Sequence, residues 1–86
     1  MTVAPAEIEA TILRLLAEID GKTISPTDVA RALQSGPTWN ALMPRVRRAA
    51  VKLAVAGRLV ITRKGKPVNP NDFKGVYRLG LPPQVL

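Results

Sequence analysis

The chain contains no cysteine and no histidine. Those two absences together remove thiol nucleophiles, disulfides, zinc fingers and imidazole general bases. Aromatic residues are nearly missing: Trp39, Phe73 and Tyr77 make up 3% of the sequence, too few to build the stacking platforms that hold unpaired bases. No apolar run approaches the roughly 18 residues of a membrane span. The opening MTVAPAEIEA lacks the basic and apolar regions of a signal peptide. A soluble, cytoplasmic protein with no membrane role is expected. Carboxylates are scarce too: six are spread from Glu7 to Asp72 without the pairing that acid–base catalysis needs. Gly57, Gly65, Gly75 and Gly80 do not make a phosphate cradle of the Gly-x-Gly or Walker type. The sequence therefore predicts a protein that is not an enzyme and uses no cofactor and no metal.

What is present is aliphatic and basic. At 86 residues one domain, 1–86, is expected, because a chain this short buries only about 60% of its unfolded surface and cannot divide that between two cores. A hydrophobic content of 47%, mostly Ala, Val, Leu and Ile, argues against disorder. The net charge of +7 is distributed unevenly. From Met1 to Leu33 three basic residues meet five acidic ones, and from Gln34 onward ten basic residues meet Asp72 alone. Charge asymmetry of this kind points to a polyanion at one face.

Periodicity divides the chain into elements. Pro5 suits a first helical position, and Ile8, Ile12, Leu15, Leu16 and Ile19 form one apolar stripe ending at Asp20-Gly21. Lys22-Thr23-Ile24 is short and extended, a candidate third strand. Ser25-Pro26-Thr27-Asp28 opens a second helix through a capping box, with Val29, Ala30 and Leu33 inward and Gly36 as its stop. Thr38 is the natural cap of a third helix with a stripe at Leu42, Val46, Ala49, Ala50 and Leu53, ended by Gly57. Pro44 sits inside that pattern. Either a turn covers Thr38 to Leu42 with the helix proper after it, or the helix kinks near Pro44. Arg58 to Arg63 and Val76 to Leu81 read as two strands, joined by a long exposed loop from Lys64 to Gly75. The fold class expected is α+β, mainly α: a three-helix winged helix-turn-helix with a C-terminal two-stranded hairpin as the wing.

Arg45, Arg48 and Lys52 fall within about 60° of one another on a helical wheel, away from the core stripe, whereas Arg47 points elsewhere. Arg63, Lys64, Lys66 and Lys74 add charge in the loop. These seven are the candidate nucleic-acid-binding residues. In the helix-turn-helix docking mode the second helix of the motif reads the major groove, and the wing would lie over phosphates or the minor groove. The plain alternative is that the strip is only a solvated face. Trp39 reads as a lid over the core, and Gln34, Thr38 and Asn40 as caps.

The strings Ser25 to Leu33, Trp39 to Arg47, Gly57 and Thr62 to Val68 resemble a bacterial family of small proteins catalogued as a domain of unknown function. The likeness covers nearly the whole chain, and Leu42-Met43-Pro44 with Arg47 is its most specific part. Asn40 stands where that family usually has Arg, and Gly75-Val76 where it has Gly-Pro. The resemblance implies a winged-helix fold and carries no settled activity. Double-stranded DNA is the expected partner, with transcriptional regulation as the setting and a homodimer as a candidate state. A protein-interaction or dimerisation module is the rival, and RNA a third reading.

Overall fold

In a computed structural model, residues 4–19, 22–34, 36 and 39–82 are described. The order is α1 (Pro5–Glu18), β1 (Thr23–Ile24), α2 (Pro26–Leu33), a 3-10 turn (Trp39–Leu42), α3 (Met43–Val55), β2 (Val60–Arg63), β3 (Lys66–Pro67) and β4 (Arg78–Gly80). The chain is α+β and mainly helical, and its described residues form three α-helices against one antiparallel sheet of order β1-β4-β2-β3. The strand at Ile24 is present and pairs with β4.

The local chemistry explains the helix limits. Pro5 opens α1, and Glu7 lies in its first turn, near the positive end of the helix dipole. α1 ends at Glu18 with Ile19 extended. Asp20-Gly21, the expected stop, lies outside the described residues. α2 begins with the capping box as expected. The Ser25 side chain accepts from the Asp28 backbone N–H, and the Ser25 N–H donates to the Asp28 carboxylate, each at 3.1 Å. α2 stops at Leu33, with Gln34 as its C-cap, three residues before Gly36.

Pro44 settles between its two alternatives because α3 starts at Met43. A proline in the first turn has no intrahelical bond to lose, so the preceding residues form a separate 3-10 turn and no kink is needed. The N-cap of α3 is Leu42; Thr38, the expected cap, lies outside the described residues. At the other end the Gly57 N–H donates to the Ala54 carbonyl and the Arg58 N–H to that of Leu53. With Gly57 at φ 79, this is a Schellman closure.

The expected long loop between two strands is replaced by a different construction. β2 turns directly into β3 through Lys64 (φ 52) and Gly65 (φ 80), with Arg63 facing Lys66 and Thr62 facing Pro67. Two consecutive positive φ angles make this a two-residue turn of the I′ kind, whose twist matches the strands it joins. Val68 N–H donates to the Ile61 carbonyl and lengthens the ladder. The chain then crosses on the helical side of the sheet, burying Phe73 and Tyr77, and returns as β4 on the other edge of β2. Pairing at the strand ends is also shorter than expected, since Arg58 and Leu59 precede β2 and Val76 and Tyr77 precede β4.

One apolar cluster joins all of this. Ile8, Ile12 and Leu16 of α1, Val29 and Ala30 of α2, and Val46, Ala50 and Leu53 of α3 meet Ile24, Ile61 and Leu79 from the inner face of the sheet. Alternation along the strands sends Thr23, Val60, Thr62 and Arg78 to the outer face.

Candidate nucleic-acid interface

α3 divides as its sequence pattern predicts. Val46, Ala49, Ala50 and Leu53 are buried, and Arg45, Arg48 and Lys52 are exposed. The three cations line one groove together with the first two turns of α1. Like charges three and four residues apart on a helix repel. Relief comes from the neighbouring helix, where the Glu9 carboxylate lies 3.6 Å from the Lys52 ammonium. Glu9 is half-buried in the groove while Lys52 remains largely in solvent. The charge of Lys52 is thus partly answered within the chain.

The loop cations separate into two kinds. Lys64 and Lys66 flank Gly65 at the exposed tip of the β2–β3 hairpin, and Lys74 is exposed on the crossing segment. Arg63 is placed differently. Its Nε donates to the Val76 carbonyl at 3.1 Å, and its guanidinium lies where a side chain at Gly75 would be. It pins the crossing segment to β2, and the residues best placed to meet an anion from the loop are the three lysines.

Two further arginines, absent from the expected set, act as clamps of the same sort. Arg47 Nη2 donates to the Phe73 carbonyl at 2.6 Å, and its guanidinium stacks 4.0 Å from the Phe73 ring centre and 5.9 Å from that of Tyr77. The two rings meet edge to face at 5.1 Å. Arg78 Nε donates to Thr23 Oγ1 at 2.6 Å, and its Nη2 donates to the Thr23 carbonyl at 3.1 Å, binding β4 to β1 across 55 residues of sequence. The signals for Arg47 were its separation from the basic strip on the helical wheel and its place beside Leu42-Met43-Pro44 in the family resemblance. Arg31 lies over the half-buried Trp39 at 5.0 Å, so Trp39 packs against the core edge and is covered by a cation of its own chain.

Tyr77 has a buried hydroxyl without a hydrogen-bond partner among the described residues. Burial pushes its phenol up from the ordinary value, and the Arg47 guanidinium pulls weakly the other way. The described residues contain no cluster of three or more potential metal ligands and no helix long and apolar enough to cross a membrane.

Fold and surface define a small, mainly helical α+β protein whose second half presents basic side chains from one helix and one hairpin. Over residues 5–82 the chain matches the model of a family described as protein of unknown function (DUF3253), and it belongs to that family. Among curated proteins none matches it.

Proposed function

We propose that the chain is a winged helix-turn-helix module that binds double-stranded DNA, as transcriptional regulators do. α3 lies in the major groove and the β2–β3 hairpin rides on the backbone or the minor groove. The observation that carries this reading is the joint exposure of Arg45 and Arg48 on α3 and of Lys64, Lys66 and Lys74 around the hairpin, where Asp72 is the sole acid after Gln34. The element order supports it: α2, one turn and α3 precede a hairpin, and β1, β4 and β2 form the three-stranded sheet on which such a wing is built. Cations bring phosphates in and position the duplex, while arginines on the groove-facing helix can read guanine edges.

Alanine at Arg45, Arg48 and Lys52 together should abolish binding of a random duplex in fluorescence anisotropy. The melting temperature should barely change, because Lys52 keeps its ammonium largely in solvent and its pair with Glu9 is worth about 1 kcal/mol or less. Alanine at Lys64, Lys66 and Lys74 should weaken every duplex by the same factor, as loss of phosphate contacts does. Undiminished binding by both variants would refute the assignment.

A second reading rests on Val76, Val55 and Leu81, which are 86%, 62% and 49% exposed. Apolar side chains left in water favour a docking role towards a protein or a second copy of the chain. Partner capture or dimerisation that persists after nuclease treatment would support it over the DNA reading.

A further inference from the structure

The groove between α1 and α3 has a feature that nucleic-acid binding leaves unexplained. Beneath its cations lies an apolar floor of Pro5, Ile8 and Ala49, and the half-enclosed space above has a volume of about 640 Å³. That is within the ~300–1,000 Å³ usual for small-molecule sites. A phosphate backbone lying on Arg45 and Arg48 would use the rim and leave the space above this floor unfilled. Among the described residues Arg48 and Lys52 stand on the rim with the carboxylate of Glu9, and Arg45 lies beside them, so the groove keeps an excess of positive charge over an apolar base. A cationic rim over an apolar floor complements a molecule with a single anionic head and a hydrocarbon body.

We propose that this groove binds an amphipathic organic carboxylate, with its hydrocarbon body on Pro5, Ile8 and Ala49 and its head between Arg48 and the neighbouring cations of α3. Guanidinium groups pair well with carboxylates because their parallel N–H donors match the two oxygens. Burial of the hydrocarbon supplies a driving force that grows with chain length. Arg45, Arg48 and Lys52 are also the helix residues assigned to DNA, so an occupant would compete with the duplex and act as its effector. Occupancy itself does not depend on the DNA reading.

The test is a titration of the whole isotopically labelled chain with octanoate, followed by backbone amide NMR, with acetate and octanol as controls. Octanoate should give saturable shifts confined to the first two turns of α1 and to α3. Acetate and octanol should each bind at least about tenfold more weakly. Arg48→Glu, an exposed reversal, should weaken octanoate by at least about tenfold, and Ala49→Met, which fills the floor, should do the same. The amide spectrum of each variant reports whether it remains folded; Arg48→Glu alone decides the matter if Ala49→Met does not. Shifts spread over Lys64, Lys66 and Lys74, an equal response to acetate, or no response to octanoate would overturn the proposal. A parallel duplex titration separates the two readings. If octanoate binds in the groove and DNA does not bind at all, the carboxylate site stands and the DNA assignment falls. If DNA binds and octanoate does not, the reverse holds.

Discussion

Arg47 ties the crossing segment to α3 through one short charged hydrogen bond and a guanidinium laid on Phe73. A hydrogen bond to a charged group contributes about 1.5–3 kcal/mol, and the stacked cation adds about 0.5–1. Arg47→Ala should therefore lower stability by about 2–4 kcal/mol in urea unfolding, and Arg47→Lys should recover little of it, because an ammonium cannot both stack and reach the carbonyl. Tyr77 works in the opposite sense. Its buried hydroxyl lacks a partner among the described residues, so Tyr77→Phe should keep or raise stability, by up to about 1 kcal/mol. The pH dependence follows from the raised phenol. A group held more tightly protonated in the folded state stabilises below its unfolded pKa, and that contribution is lost as pH climbs through the folded value. The chain should lose stability relative to Tyr77→Phe only above about pH 10, and a constant difference between the two from pH 7 to 11 would contradict this. The sequence could not assign either residue. A clamp joining positions 47 and 73 depends on a crossing that no local periodicity announces, whereas Trp39 could be assigned as a covering residue from its place beside the core stripe.

At the scale of elements, the helices and the antiparallel pairing of β2 with β4 were legible, and the β2–β3 turn was not. Proline at a first helical position, the Ser25–Asp28 capping box and the glycine after α3 are local signals, and each is realised in place. β3 escaped because a two-residue turn is normally announced by Asn-Gly or Asp-Gly, and here Lys64 occupies the first positive-φ position. A β-carbon at positive φ is strained, so Lys64→Asn or Lys64→Gly should stabilise the hairpin slightly and Gly65→Val should destabilise it by more than about 1 kcal/mol. Differential scanning calorimetry would order the three. The same substitutions at Lys64 remove a tip charge, so weaker duplex binding should accompany higher stability. At the start of α2, Ser25→Ala should cost about 1 kcal/mol through loss of the cap.

For the whole molecule the division of charge is the governing fact. The acidic first third supplies α1 and α2, including Glu9 that meets Lys52, and the basic remainder supplies α3, the hairpin and the crossing segment. Of the seven residues singled out from the sequence, Arg45, Arg48 and Lys52 come together in one groove, Lys64 and Lys66 share the hairpin tip, Lys74 stands on the crossing segment, and Arg63 is turned inward to it. Composition could count these cations, but Arg47, Arg63 and Arg78 spend their guanidinium groups on backbone carbonyls of the chain itself. Only tertiary structure distinguishes a cation that clamps from one that reaches outward. The central claim, that the outward set meets DNA phosphates, is tested most directly by titrating a random duplex across a range of salt concentrations. With five or six phosphate contacts the logarithm of affinity should fall against the logarithm of salt with a slope of about −4.5 to −5.4; a slope near zero would contradict it.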